Sequence, residues 1–170
     1  MVALGEFKNI LNAKEVLALL IMQAGNPIVS LEEGIAVSVL DEKGNASISP
    51  AESALRFYTE FSNPAKSVYA WNRNLPNSKD MFLAGDLAVY FGFASELPDI
   101  RAKSPHLNFD IAMMPQSRES NTRMTYGAMT GFAVLKQSRN PQTAFHVASL
   151  LVGRDFVKDF SETNFLPPVR

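Results

Sequence analysis

Cysteine is absent from the sequence, which excludes disulfide bonds, thiolate zinc sites and cysteine nucleophiles. Histidine is scarce, and neither His106 nor His146 has a second ligand at the spacing of a metal site. We interpret the first as a surface-loop residue and the second as a half-buried helical residue. Neither a glycine-rich phosphate loop nor the G-x-S-x-G turn of serine hydrolases occurs. The sequence therefore predicts no metal, no cofactor and no catalytic residue.

Charge of one sign and long apolar runs are lacking as well. Sixteen basic and seventeen acidic residues leave a net charge of −1, which argues against nucleic acid or an anionic membrane as the main partner. The most apolar run, residues 16–22, is far shorter than the roughly 20 residues of a membrane span. No basic segment followed by an apolar stretch opens the chain, so no signal peptide is visible. This pattern indicates a cytosolic protein or a chain without its original amino terminus.

Enough apolar residues for a core are present, and the helix boundaries are well marked. Hydrophobic residues make up 46% of the 170 residues. Asn12 and Glu15 have the spacing of a capping box, so a helix is predicted over residues 12–24, with Gly25 at its end. Its apolar residues lie on nearly every side, and we therefore expect it to be buried on most faces.

A second helix is predicted over residues 49–62. Ser49 is its expected N-cap, Pro50 its first helical residue, and Glu52 completes the capping box. The side chains expected on its apolar face are Leu55, Tyr58 and Phe61. Four more helices are expected by the same kind of signal: from Ser78 to just before Gly85, from Ser95 through Arg101, from Asn140-Pro141 to Gly153, and from Arg154 to Glu162.

Short apolar runs between these helices predict strands. Residues 87–93 and 109–114 are compact, apolar and bounded by glycine or proline, so we expect two adjacent buried strands. A short strand is expected around Val37 and Val39, and residues 126–135 should be extended, with a close backbone approach near Gly127. Helices interspersed with short buried strands indicate the α/β class.

The aromatic residues point to binding. Trp71, the only tryptophan, stands in the polar stretch SVYAWNRNLPNS, where a flat ring beside amide groups suits a small-molecule cleft. A tryptophan packed on a domain edge explains the same spacing equally well. Ser95 and Glu96 follow a predicted buried strand, and a helix N-cap at Ser95 accounts for both without catalysis.

An ordered series of motifs resembles the extracellular solute-binding proteins of ABC importers, the family of maltose-binding protein. FLAGDLAVYFGFASEL, which begins at Phe82, is similar to the family's F-x-x-G-x-x-A-M segment, although Phe93 stands where the family has tryptophan. LNAKEVLALLIMQAGNPIV and SPAESALRFYTEF precede it and resemble two family helices. FDIAMMPQ, TYGAMTGFAVLKQSRNPQTAFHVASLLV and NFLPPVR follow in the family's order. The series covers nearly the whole chain.

The resemblance implies a periplasmic-binding-protein-like (type II) two-lobed α/β fold, of which mainly the second lobe and the return crossing are present. Residues 1–115 would form most of the second lobe, residues 116–160 the hinge return and part of the other lobe, and residues 161–170 the start of the final crossing. Because members of the family are longer, the chain would be a fragment without the first lobe, and we expect exposed apolar surface and self-association.

The same resemblance implies binding without catalysis. A sugar or oligosaccharide would bind in an interlobe cleft and be delivered to ABC permease subunits, outside the cell or in the periplasm and with a lipid anchor in a missing amino-terminal segment. The residues implied for the cleft are Tyr69, Trp71, Asn72, Phe93, Ser95, Glu96, Tyr126 and Gly127. Two other functions stay open: a sensor or interaction module that kept a solute-binding lobe, and a hydrolase that uses Ser95 and Glu96.

Overall fold

The computed structural model describes residues 1–44, 46–117, 123–129, 131–164 and 166. The helices are α1 (Ala13–Gln23), α2 (Pro50–Glu60), α3 (Ser78–Ala84), α4 (Leu97–Lys103), α5 (Pro141–Leu151) and α6 (Arg154–Asn164), with a 3-10 turn at Ala94–Glu96. The strands are β1 (Val29–Glu32) and β2 (Ile35–Ser38). The chain divides into a first unit, Met1–Phe91 with His106–Tyr126, and a second unit, Gly92–Pro105 with Gly127–Arg170.

These unit bounds differ from the predicted division after residue 115, and the assignment of either unit to a lobe stays a prediction. The type II two-lobed fold stays a prediction too. Within the described residues the architecture is helical with one small antiparallel sheet. Most of the predicted final turn, NFLPPVR, lies outside the described residues.

Helix α1 confirms the predicted helix but not its predicted cap. Asn12 makes no side-chain cap bond; its Nδ2 instead donates to the Tyr90 hydroxyl at 3.3 Å and to the Phe91 carbonyl at 3.0 Å. The helix ends at Gln23 with Ala24 as its C-cap, and Gly25 follows with a φ of 98°, in the left-handed region that glycine tolerates best. The capping-box prediction at Asn12 is therefore wrong, because tertiary acceptors take the side chain.

Helix α2 forms where its sequence predicts and has the predicted N-cap at Ser49, whereas the Glu52 carboxylate pairs with Arg56 at 2.6 Å. The Ser49 hydroxyl accepts a hydrogen bond from the Glu52 amide at 3.1 Å, and Pro50 occupies the first helical position. The buried face consists of Ala54 and Tyr58, whereas Leu55 is 48% exposed. The expected face is thus shifted by one residue at its amino-terminal end.

The strand predicted around Val37 is confirmed as one arm of a hairpin. Strands β1 and β2 pair antiparallel, with Val29 opposite Ser38 and Glu32 opposite Ile35. The turn between them has positive φ at both Glu33 and Gly34, as the tight turns that match strand twist require.

The strands predicted at 87–93 and 109–114 do not form. The first segment contributes only an isolated parallel bridge between Val89 and Val2. Within this segment Leu87 is buried at 3% exposure and the Tyr90 ring stacks on Phe82 at 5.4 Å, whereas Val89 is 47% exposed. In the second segment, residues 109–114, Met113 is 86% exposed. This segment is therefore not the buried strand that was predicted.

The core of the first unit joins the amino-terminal segment, α1, α2 and residue 71. Its fully packed members are Ala3, Leu4, Ile10, Ala13, Val16, Tyr58, Trp71 and Leu87. Glycine is required where the segment before α1 meets the end of α2, because a Cβ at Gly5 would stand 2.6 Å from the Ser62 amide nitrogen. The predicted burial of α1 on most faces agrees with this core, since Ala13, Val16, Leu19 and Ile21 are all buried.

The second unit contains α4, α5 and α6. Pro141 opens α5 and Gly153 separates it from α6, both as predicted. Apolar side chains stay exposed on this helix pair, including Phe145 at 68% and Leu150 at 62%. This exposure agrees with the expected apolar surface, whereas self-association stays a prediction.

Candidate functional site

Trp71 is completely buried, so the expectation of a partly exposed ring in a cleft is wrong. Its indole Nε1 donates to Oδ1 of Asn9 at 3.1 Å, and its backbone amide donates to the Phe61 carbonyl at 3.1 Å. Because the ring packs among core side chains, it offers no face to a solute. The alternative interpretation, a tryptophan that packs against its own domain, agrees with the structure.

Asn9 fixes the loop that carries Trp71. Its Nδ2 donates to the carbonyls of Asn72 at 2.9 Å and Leu75 at 2.8 Å, while its own carbonyl accepts from the Ser78 amide at 2.9 Å. Together with the indole bond, one side chain holds three points of residues 71–75. Sequence reasoning missed Asn9, because its partners lie more than sixty residues away.

Tyr69, which is exposed, and Asn72, which is half-buried, form a hydrogen-bonded pair in this loop. Asn72 Nδ2 donates to the Tyr69 hydroxyl at 3.1 Å, and the Tyr69 residue is 42% exposed. Asn72 Oδ1 also accepts from the Asn74 amide at 2.9 Å, which fixes the amide plane. An aromatic ring beside a fixed amide can contact the C–H face and a hydroxyl of a small solute.

Phe93, Ser95 and Glu96, three of the predicted site residues of the second unit, lie directly before α4. The Glu96 carboxylate accepts from the Phe93 amide at 2.9 Å, and it therefore caps the 3-10 turn. Ser95 lies inside this turn with an exposed side chain, so the expectation that it is the N-cap is wrong. Phe93 is half-buried at the position before the turn.

Tyr126 and Gly127 fall at a boundary between the units, with Tyr126 the last residue of the first and Gly127 the first of the second. A Cβ at Gly127 would meet nothing within 4 Å, and the same holds for Gly131. The expected close backbone approach within the protein is therefore wrong. Residues 126–129 and 131–135 form no strand.

The structure places Tyr69, Trp71, Asn72 and Tyr126 in the first unit, and Phe93, Ser95, Glu96 and Gly127 in the second. The Tyr69 and Asn72 side chains are joined by a hydrogen bond, and the Glu96 side chain bonds to the Phe93 backbone. Trp71 supports the loop of the first pair from the core side.

A cavity of about 600 Å³ in the first unit was not predicted. It is lined by apolar residues of α1 and α2, by Phe91 and by residues 114–117. The sequence signal that could have indicated it is the apolar surface of α1 on nearly every side. A second, more open cavity of about 820 Å³ lies in the second unit between residues 132–140 and α5.

Electrostatic and metal-binding signals are weak. Burial raises the pKa of Tyr58 to about 12, with the nearby Glu6 carboxylate acting in the same direction. The Tyr58 hydroxyl donates to the Glu6 carbonyl at 2.8 Å, which identifies it as a structural group.

Over the described part of the chain, no three His, Asp or Glu side chains gather as a metal site would require. No helix of the same residues has the length and apolarity to cross a bilayer.

No protein-family model, curated protein or solved structure matches this chain.

Proposed function

We propose that this chain binds a small hydroxylated solute, a sugar or oligosaccharide, and belongs to a solute-binding protein that delivers it to an ABC permease. The observation that carries the proposal is the ordered motif series from LNAKEVLALL through FLAGDLAVYFGFASEL to TGFAVLKQSRNPQTAF. Helices α1, α2, α3 and α5 fall on these motifs, which is consistent with them.

Tyr69 and Asn72 are two residues of the first unit that we assign to the solute. The ring supplies a platform for the apolar face of a sugar, and the hydrogen-bonded amide and hydroxyl supply polar contacts at its edge. For Phe93, Ser95, Glu96, Tyr126 and Gly127 the proposed role in binding rests on the motif resemblance. Trp71 is removed from the set of direct contacts, and its role becomes that of a residue that positions Tyr69 and Asn72.

Calorimetric titration of the chain with a panel of neutral mono- and oligosaccharides tests the binding step. We expect one saturable site, and Tyr69→Ala should weaken binding by about tenfold or more, as removal of a central aromatic contact does. Asn74→Ala is the matched control, because Asn74 lies exposed in the same loop. No saturable binding to any member of the panel, or equal affinity in the Tyr69 variant, would contradict the assignment.

The delivery step has a separate test. Genes for two permease subunits beside the gene for this chain would support transport. A neighbouring signalling gene without permeases would favour a sensor or interaction module that shares the same solute site.

A further inference from the structure

We propose that the cavity between α1 and α2 of the first unit is a second binding site, which takes an uncharged and largely apolar small molecule. This inference is independent of the proposed sugar site, since the cavity is lined by none of the residues assigned to that site. Its volume of about 600 Å³ lies within the range of small-molecule pockets, roughly 300–1,000 Å³.

The floor of the cavity is preformed. Leu4, Val16, Leu19 and Ala54 line it, and each is between 3% and 7% exposed. Leu4 and Val16 belong to the core cluster of the first unit, and Leu19 and Ala54 are buried residues of α1 and α2. A pocket that needs no rearrangement loses little affinity to ordering on binding.

The opposite wall, residues 114–117, is fixed by two amide side chains. Gln23 Nε2 donates to the Pro115 carbonyl at 3.0 Å. Gln116 Nε2 donates to the carbonyls of Met114 and Met124, both at 2.9 Å, and its Oε1 accepts from the Met124 amide at 2.8 Å. The hydrogen-bonding atoms of Gln116 are therefore engaged with the protein and do not select a polar ligand.

The chemistry of the lining selects the ligand class. The described lining residues include no Lys, Arg, Asp, Glu or His, so a charged group would lose its hydration without a partner. Phe57 and Phe91 present aromatic rings, and the exposed residues Ser53 and Ser117 add hydroxyl groups to the lining. This combination suits an uncharged, largely apolar ring compound.

Fluorescence titration with the neutral probe N-phenyl-1-naphthylamine tests this site. We expect one saturable site per chain, and weaker binding of the related anionic probe 8-anilinonaphthalene-1-sulfonate. Because a ligand of the native state stabilises it, the neutral probe should also raise the unfolding temperature. Binding to loosely exposed apolar surface would give no saturation and no such rise, which would overturn the proposal.

Variants locate the probe. Ser53→Trp and Ala24→Trp place a bulky ring at exposed lining positions and should each raise the dissociation constant by about tenfold or more. Circular dichroism shows whether each variant folds. If Ser53→Trp does not fold, Ala24→Trp alone tests the site. Leu55→Gln, on α2 like Ser53, and Leu150→Gln, on α5, are controls at exposed positions outside the cavity. Unchanged affinity in the folded tryptophan variants, or loss of binding in Leu150→Gln, would refute the site.

Discussion

The indole Nε1 of Trp71 donates a hydrogen bond to Oδ1 of Asn9 at 3.1 Å, across 62 positions of the chain. The same asparagine donates to two carbonyls of the loop that contains Trp71. This pair joins the amino-terminal segment to the loop of the proposed solute site, and it explains why the only tryptophan is a core residue.

Asn9→Ala should lower the free energy of unfolding by about 3 kcal/mol, since it leaves a buried indole N–H and two loop carbonyls without their partner. Urea unfolding followed by circular dichroism measures the change. Asn74→Ala is the matched control and should change stability by less than about 0.5 kcal/mol. Equal stability of the two variants would show that the Asn9 bonds contribute nothing.

Trp71→Ala should lower the free energy of unfolding by about 3–5 kcal/mol, because it empties the space of a side chain that is 0% exposed. A tryptophan that lined a small-molecule cleft, as the polar stretch around residue 71 predicted, would contribute little to the core, and its removal would leave the fold intact. Thermal unfolding by circular dichroism decides between them. If this variant melts at the wild-type temperature, the Trp71 ring is not a core residue, and the packing described above is refuted.

Asn12→Ser separates tertiary hydrogen bonding from helix capping. Serine is a good N-cap, but it cannot reproduce the two bonds that Asn12 Nδ2 donates to Tyr90 and Phe91. We therefore expect Asn12→Ser and Asn12→Ala to lose similar stability, about 1–2 kcal/mol each. If serine instead restores wild-type stability in urea unfolding, capping is the dominant role.

Gly5→Ala and Gly25→Ala form a matched pair, because both glycines have a φ of 98°. Alanine at Gly25 meets no atom within 4 Å, so backbone strain of about 1 kcal/mol is the expected cost. Alanine at Gly5 would stand 2.6 Å from the backbone nitrogen of Ser62, which cannot rotate away. We expect a loss of about 3 kcal/mol or more there. Similar unfolding free energies in the two variants would contradict the close approach.

Stability should fall in alkaline solution through Tyr58. Burial raises its pKa in the folded protein to about 12 from the ordinary value of 10.0. Below pH 10 the Tyr58 hydroxyl is protonated in both the folded and the unfolded state, and its contribution to stability is complete. Between pH 10 and about 12 the hydroxyl loses its proton in the unfolded state but keeps it in the folded state, so the free energy of unfolding declines. Urea unfolding over this range should show a steeper decline in wild type than in Tyr58→Phe. Parallel pH profiles would mean that Tyr58 ionises without a shift.

Helices were predictable from the sequence because their signals are local. Ser49 and Pro50 start α2, Asn140-Pro141 starts α5, and Gly153 separates α5 from α6, in each case through backbone preferences within one turn. The short strand predicted around Val37 and Val39 is also local, and it forms as β2. The hydrogen-bonded Tyr69–Asn72 pair is also local, and both residues belong to the set proposed from the sequence.

Only the tertiary structure decided the hydrogen-bond partners of Asn9, Asn12 and Trp71 and the conformation of residues 87–93. An asparagine three residues before a glutamate predicts a cap, but Asn12 bonds to residues 78 and 79 positions away. An apolar run predicts a strand, but a strand needs a neighbour with free backbone groups, and side-chain packing buried Leu87 without one. A polar loop predicts an exposed tryptophan, but Asn9 satisfies the indole N–H and allows full burial of the ring. Sequence fixes backbone preference over a few residues, whereas the choice between solvent, core and distant partner depends on what the rest of the chain brings into contact.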